Sequence, residues 1–584
     1  MKKITRTELV WVGKYDEEGN LRPVERIILP FQVVETVNES KADREKVQRD
    51  LFTLLPRDDT WRNMLIWGDN KVVMSSLLPR FAGKINLIYI DPPFATGQDF
   101  SFRVRVGDQE FVKEPSIIEE KAYRDTWGRG LDSYLQMMYE RLVLMRELLA
   151  DDGSIYVHLD PTASHYLKVV MDEVFGGENF RNEIAWVYAR PAAPNQKIFS
   201  QAHGTILFYT RSNNWSLNLD AVRIPYKEAT IARAGYMSSA HGRRFVREIH
   251  PKGKIPEDWW EIPYLRPNAR ENVGYDTQKP EALLERIIRA SSKEGDLVAD
   301  FFCGSGTTLV VAEKLGRRWI GCDLSKWAIQ VTRKRLLQIE GCRPFDILNL
   351  GNYERHKLAA NGHWERYVQF ILELYRAEPV TGFKMLHGRK ARAYVHVGSV
   401  DSPITMREIR QTLREAQSAG VREVHFLGWD FEMGLHDLVN EVGDDYGVKV
   451  RLVSIPKESL EVTDPAREEV RFFDLNYLDL EHEVKGRRLT IRLNDFIIAN
   501  PEYLPDEVRA KIKKFTDYID YWAVDWDFRG DTFHNQWQSF RTRKNPKLET
   551  KATHTYEQPG TYKVLVKVVD IFGNDTTKMV EVTM

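Results

Sequence analysis

Two periods of apolar spacing run through this chain, and the switches between them mark out its elements. Lys84 to Asp91 is a near-continuous apolar run ending in an acid, the pattern of a buried strand in a parallel sheet. Leu131 to Ala150 repeats at helical spacing and predicts an amphipathic helix, with a strand at Gly153 to Asp160 and a second helix at Ala163 to Phe175. Arg181 to Tyr188 and Thr205 to Thr210 alternate as β-rich strands. Further on, Leu283, Leu284, Ile287 and Ile288 form one stripe of a helix ended by Gly295-Asp296. The strand Leu297 to Phe302 then runs into a glycine loop and a helix from Leu309 to Leu315, and another strand follows at Arg318 to Gly321. Such a succession predicts an α/β domain with a Rossmann-like sheet.

The last third reads differently. An amphipathic helix, Trp364 to Arg376, precedes a β-α-β-α-β pattern with strands at Ala391 to Val397, Val421 to Leu427 and Val448 to Val453. Helices are predicted near Met406 to Ala419 and Gly434 to Val442, giving a small α/β domain over about 360–460. Gly398 and Gly428-Trp429-Asp430 end strands there and are read as packing or docking features. From about Ala466 to residue 584 the chain is β-rich. Its runs Asp525-Trp526-Asp527-Phe528-Arg529-Gly530 and Tyr556-Glu557-Gln558-Pro559-Gly560-Thr561-Tyr562, with alternating Val564, Val566 and Val568, resemble a polycystic-kidney-disease-type β-sandwich. Modules of that type usually serve protein contact.

The connecting segments carry fewer signals. Residues 1–60 mix charged and apolar stretches and read as an N-terminal arm or scaffold, with an exposed helix end at Lys41 to Arg49. Trp67-Gly68-Asp69-Asn70 punctuates the chain before a short helical pattern, either as a turn with an N-cap or as a loop beside a ligand. The stretch from Phe94 to about Gly130 is polar and shows little periodicity, the mark of a functional loop.

Composition narrows the picture. At 584 residues the chain has room for roughly three or four domains. Its 84 basic residues against 85 acidic ones announce no polyanion partner, so a nucleic-acid surface has to be local. Such a region lies between Arg190 and about Arg270, where basic residues mix with Trp215, Tyr226, Tyr236, Phe245, Trp259, Trp260 and Tyr264. Arg243, Arg244 and Arg247, with Lys252 and Lys254, form its densest patch, either a solvated basic face or a DNA contact. Cys303, Cys322 and Cys342 lack metal-ligand spacing and read as small buried hydrophobes of a reduced, cytoplasmic protein. No apolar run reaches the roughly 18 residues of a membrane helix.

Two stretches carry chemistry. Asp91-Pro92-Pro93-Phe94 follows the first strand, and ligands of open α/β sheets bind beyond the carboxyl ends of strands. Asp91 can accept a hydrogen bond from an exocyclic amine, the Pro92 carbonyl a second one, and Phe94 offers a stacking face. The two prolines stiffen the chain and remove competing N–H donors. His158, ending its strand two residues before Asp160-Pro161, is read as a structural hydrogen-bonder rather than a catalytic base. The second stretch is Asp300-Phe301-Phe302-Cys303-Gly304-Ser305-Gly306-Thr307, between a strand and a helix. Gly304 and Gly306 let the backbone approach a ligand, the helix start supplies free N–H groups, and Asp323 can accept from a ribose diol. The loop lacks the third glycine of a dinucleotide fold and the lysine of a P-loop.

Together with Thr277-Gln278-Lys279-Pro280 and Gly321-Cys322-Asp323, these motifs resemble the β class of S-adenosylmethionine-dependent amino DNA methyltransferases. They are similar in particular to modification subunits of type III restriction-modification systems. The resemblance covers about residues 60–340 and implies a catalytic domain over 61–345, with a target-recognition region over 190–270. It implies S-adenosylmethionine as cofactor, bound by Asp69, Asn70, Thr277, Gln278, Lys279, Pro280, Asp300, Phe302, Gly304, Ser305, Gly306, Thr307 and Asp323. In that family an aspartate at the position of Asp91 goes with adenine N6 and a serine with cytosine N4. Phe301 stands where the family often has proline. Double-stranded DNA is the implied partner, with a separate restriction or helicase subunit and a homodimer as further expectations. The chain has no P-loop of its own, and Glu483-Val484-Lys485 is an isolated carboxylate–lysine pair. The rival outside enzymes is a DNA-recognition or assembly subunit that keeps the methyltransferase fold.

Overall fold

The computed structural model describes residues 7–38, 61–93, 102–106, 109–113, 130–189, 199–232, 237–240, 243–246, 249–266, 268–275, 277–350, 364–399, 403–429, 431–432, 435–456, 459, 472–474, 476–498, 509–510, 512–529, 532–541, 547–571 and 573–584. Lys41 to Arg49 and Phe94 lie outside them. Two compact units divide the chain: residues 1–28, 63–99 and 122–343 form the first, and residues 29–62, 100–121 and 344–584 the second. The segment 1–60 read as one arm is therefore shared between both.

In the first unit the strands lie side by side in the order Trp259–Glu261, Phe180–Val187, His203–Thr210, Leu149–Leu159, Ile85–Ile90, Leu297–Asp300, Arg318–Asp323 and Asn63–Trp67. Ile85–Ile90 runs parallel to both Leu149–Leu159 and Leu297–Asp300. Leu297–Asp300 is in turn parallel to Arg318–Asp323, and that strand to Asn63–Trp67. His203–Thr210 is antiparallel to both of its neighbours. Ile85, Leu87, Ile88 and Ile90 are fully buried, which is why the apolar run shows no alternation. Each such side chain contributes about 1.5–3 kcal/mol when taken out of water.

Helix Leu131–Leu148 packs its stripe of Leu135, Met138, Leu142 and Met145 into the interior. It hands over directly to the strand Leu149–Leu159, which starts earlier than the pattern predicts. The reason is local: the pairing with Ile85–Ile90 shifts register between Ile85 and Leu87, and Gly153 lies where a Cβ would come within 2.8 Å of Leu149 Cγ. Parallel strands bring their carboxyl ends to one edge, so Asp91, Asp300, Asp323 and the turn Trp67-Gly68-Asp69 meet there.

In the second unit Gln32–Val37 pairs antiparallel with Phe345–Asn349 and parallel with Phe533–Asn535. Buried Glu35 anchors it, accepting from Lys567 Nζ at 3.0 Å and from Asn535 Nδ2 at 3.0 Å. A small α/β sheet holds the parallel strands Ala393–Val397, Glu423–Gly428 and Lys449–Ser454 with helices Met406–Ser418 and Leu435–Tyr446, as the β-α-β pattern predicts. Beyond it come a sheet of Tyr477–Lys485, Arg488–Ile497 and Lys551–Thr555 and another of Trp537–Phe540, Ile519–Asp525, Thr561–Asp570 and Asp575–Thr583. Trp522, Val564, Val566 and Val568 share one core with Leu489 and Ile491. Glu483 and Lys485 pair with each other, 2.6 Å apart on an exposed strand.

The stretch expected to be an aperiodic loop contains a hairpin, Phe102–Val106 against Gln109–Lys113. Phe102-Arg103-Val104-Arg105-Val106 does alternate, and Gly107-Asp108 is a two-residue turn signal that the reading passed over. In the first unit a second hairpin, Met237–Ala240 against Arg243–Val246, carries part of the basic patch.

Candidate active site

Asp91 stands one residue beyond the strand Ile85–Ile90, followed by buried Pro92 and half-buried Pro93. Two cationic or cation-capable side chains meet its carboxylate. His158 Nδ1 lies 2.8 Å from Oδ1, and the Lys279 ammonium donates to Oδ2. Register explains the first contact, because Ile90 pairs with Val157 and the next residues of both strands are Asp91 and His158. Burial alone would push the Asp91 carboxyl up, but Lys279 and His158 outweigh it and hold it below the ordinary carboxylate range. His158 is itself shifted down, burial prevailing over the neighbouring carboxylate. Its ring is 3% exposed, meets Trp186 edge-on at 5.5 Å and presses Nε2 onto the Gly204 backbone, where a Cβ would come within 2.4 Å.

The segment Thr277-Gln278-Lys279-Pro280 links this carboxylate to the glycine loop. Lys279 Nζ also donates to the Thr277 carbonyl at 3.0 Å, and the Lys279 carbonyl accepts from Thr307 Oγ1 at 3.2 Å. Buried Gln278 braces the segment from behind, donating to the Glu271 carbonyl at 2.6 Å and accepting from Val273 N at 2.9 Å.

Within the loop, Gly304 and Gly306 take φ values of +48° and +72°, open to glycine and strained for other residues. A Cβ on Gly306 would sit 2.4 Å from Thr332 Cγ2, and one on Gly304 would fill space 3.4 Å from the Tyr275 ring. Asp300 is 2% exposed and shapes the loop by accepting from Thr308 Oγ1 at 2.5 Å and Phe302 N at 3.0 Å. Burial pushes its carboxyl up to about 7. Asp323 accepts from Gly304 N at 2.8 Å and Ser325 N at 2.9 Å, and a carboxylate offers roughly four acceptor sites. Asp69 caps the helix Asn70–Phe81 through Lys71 N and meets Arg141 at 3.3 Å, while Asn70 Nδ2 donates to the Phe301 carbonyl at 2.9 Å. Asp69 is thus the N-cap of this helix.

A chain of hydrogen bonds therefore joins Asp69 and Asn70 to the glycine loop, the loop to Lys279, and Lys279 to Asp91. The reading of the sequence missed four of its members: His158 as a partner of Asp91, Arg141, Thr332 and Arg335. Arg335, 6% exposed, donates to the Ser305 carbonyl and to Thr307 Oγ1, both at 2.8 Å, and to Glu281 at 3.2 Å. Nothing in its helical context, Lys326–Leu337, distinguishes it from a surface arginine. The described contacts of the basic patch are local. Lys254 pairs with Glu257 at 2.6 Å, and Lys252 N donates to His250 Nδ1 at 3.2 Å. Arg243 and Arg244 lie on the strand Arg243–Val246, whose side chains are not described; Arg247 falls outside the described residues.

A loop with two left-handed glycines, flanked by strand-end acids and close to a partly accessible carboxylate, suits a nucleoside cofactor. Comparison with known proteins agrees: a DNA methylase family model of the N6/N4 type matches residues 85–334. The Type II methyltransferase M.EcaI of Enterobacter cloacae is 31% identical over 330 residues, which are 47% of this chain and 69% of that protein. The chain belongs to the N6/N4 DNA methylase family. DNA adenine methyltransferase YhdJ of Escherichia coli K12 is 27% identical over 44% of this chain and 77% of its own length. The Mod subunit of the type III restriction-modification enzyme StyLTI of Salmonella typhimurium is 23% identical over 51% of this chain and 58% of its own. Family members take their methyl group from S-adenosylmethionine, and left-handed Gly304, beside Tyr275, fits a backbone that must lie against such a ligand.

The three cysteines are buried and none is in a disulfide among the described residues, and burial pushes the Cys303 and Cys322 thiols well up. Among the described residues no group of His, Cys, Asp and Glu is arranged to hold a metal, and no helix is long and apolar enough to cross a membrane.

Proposed function

We propose that this DNA methyltransferase acts on the N6 amine of adenine. The observation that carries the reading is Asp91, an aspartate held ionised at the strand end by His158 and Lys279. Adenine's exocyclic nitrogen is a poor nucleophile because its lone pair is delocalised into the ring. Asp91 and the Pro92 carbonyl accept its two hydrogens, which favours a pyramidal nitrogen with the lone pair directed at the incoming methyl carbon. Bound S-adenosylmethionine supplies an activated methyl group, so the protein's task is mainly to position the amine. Thr277 to Pro280, Asp300, Phe302, Gly304 to Thr307 and Asp323 are the residues that hold this cofactor, with Asp69 and Asn70 supporting the loop. The target base is out of reach inside a duplex and has to flip, and Phe94 is its stacking platform. Arg243, Arg244, Arg247, Lys252 and Lys254 are assigned to the DNA backbone.

Likeness to a type III Mod subunit supports a modification role in a restriction-modification system, with cleavage supplied by a separate protein. The test is incubation with methyl-labelled cofactor and duplex DNA, then digestion to nucleosides. Label in N6-methyladenine is expected. Label in N4-methylcytosine would overturn the choice of base, and no label would favour a DNA-recognition subunit. Asp91→Ala is expected to abolish transfer while cofactor binding persists; an active variant refutes the role of Asp91.

A further inference from the structure

Asp91 has two partners of unlike freedom. His158 is locked: it sits in the strand Leu149–Leu159, wedged between the Trp186 ring and the Gly204 backbone. Lys279 reaches the other carboxylate oxygen from the segment before helix Glu281–Ser291, on a four-carbon stem whose ammonium is a rotatable point charge. The carboxylate and this ammonium keep 15% and 12% of their side-chain surface exposed, against 4% for His158. Lys279 therefore covers the accessible side of the group that must receive the substrate.

We propose that Lys279 is a positioning residue that keeps Asp91 an ionised acceptor until the base arrives and then yields Oδ2 to the target amine, while His158 holds Oδ1 in place. The proposal rests on the reading of Asp91 as the amine acceptor. Three points support it. An N–H donor already occupies Oδ2, so the Lys279 nitrogen marks where an amine nitrogen can stand. A buried carboxyl without a cation nearby tends to keep its proton, and a protonated Asp91 would have lost acceptor capacity. A nitrogen that takes a methyl group gains positive charge until it releases a proton, and an ammonium fixed in contact would oppose that charge. Leaving Oδ2 puts Lys279 back on carbonyls such as that of Thr277, which it already touches. Among the described residues, the other titratable groups facing Asp91 are Tyr89 on its own strand, Asp300 on the next and Tyr134 on helix Leu131–Leu148.

The full chain, Lys279→Met and Lys279→Arg are compared in single-turnover methylation at saturating cofactor, on a duplex that the wild-type chain methylates. Lys279→Met is expected to lose rate roughly tenfold per pH unit below a midpoint raised by about one unit or more over wild type, and Lys279→Arg to keep the wild-type midpoint. Affinity supplies a second readout, since a purely structural lysine would not alter discrimination for the base. Above that midpoint, Lys279→Met is expected to prefer the target adenine over an abasic site several-fold more than wild type does. An unmoved midpoint, or an unchanged preference, overturns the proposal. Should Lys279→Met fail to bind cofactor, Lys279→Arg decides by its midpoint alone, and a displaced one is fatal. Failure of the underlying reading shows separately, as wild-type reactions that leave no methyladenine.

Discussion

Replacing Arg335 with methionine keeps most of the side chain's length and removes the charge that ties the glycine loop to its surroundings. Arg335 donates to the Ser305 carbonyl and Thr307 Oγ1 at 2.8 Å and to Glu281 at 3.2 Å, all in a nearly water-free setting. Two bonds to neutral acceptors contribute about 1 kcal/mol each, and the one to a carboxylate about 1.5–3 kcal/mol. Breaking a buried pair usually costs about 3–5 kcal/mol, because a charge is stranded. Here Glu281 keeps Lys314 as a partner on its exposed side, so the lower end applies and we expect ~3 kcal/mol. For a domain of this size that is a fall in Tm of roughly 6–12 °C. Because the same bonds shape the loop from Ser305 to Thr307, S-adenosylmethionine affinity should fall by about tenfold, equivalent to ~1.4 kcal/mol. Scanning calorimetry and titration calorimetry with the cofactor measure the two effects. A Tm within about 2 °C of wild type, together with unchanged affinity, would refute the assignment of Arg335 as the loop's brace.

Two further substitutions probe the same loop. Gly306→Ala combines a φ of +72° with a Cβ 2.4 Å from Thr332 Cγ2, and Thr332 is itself tied to the Gly304 carbonyl at 3.0 Å; cofactor binding should be lost with most of the fold intact, as calorimetry and circular dichroism would show. Asp300 makes stability depend on pH. Its folded-state pKa of about 7 lies above the ordinary 3.8, so its contribution is fully present below about pH 4 and is lost as pH rises through about 7. The loss is ~4 kcal/mol at most. Asp300→Asn cannot titrate, so the wild-type Tm should fall relative to the variant's between about pH 4 and 7 and then level off. A pH-independent difference would show that Asp300 is ionised throughout.

How far the site could be read beforehand depended on whether its demands were local. Asp91 to Pro93 and the loop Gly304 to Thr307 were legible because their residue types answer to the backbone itself: prolines that stiffen a strand exit, and glycines where φ is positive. Asp323 was legible for the same reason, as an acid closing a strand beside a glycine loop. His158 is legible as a structural hydrogen-bonder but its partner is not, because that depends on register, which no single strand reveals; only the pairing of Ile90 with Val157 sets it against Asp91. Gln32 to Val37 looked like part of an arm because its partners, Phe345–Asn349 and Phe533–Asn535, lie hundreds of residues away. Charge shows the limit most clearly. The chain's 84 basic and 85 acidic residues nearly cancel, and within Thr277-Gln278-Lys279-Pro280 the lysine reads only as one element of a motif. Its meaning comes from a carboxylate 188 residues earlier, which the fold desolvates and then supplies with two partners, His158 and Lys279. A buried acceptor that must stay ionised yet open to a neutral amine needs one fixed partner and one able to leave, because two fixed donors would leave no oxygen to give and none would let the proton return.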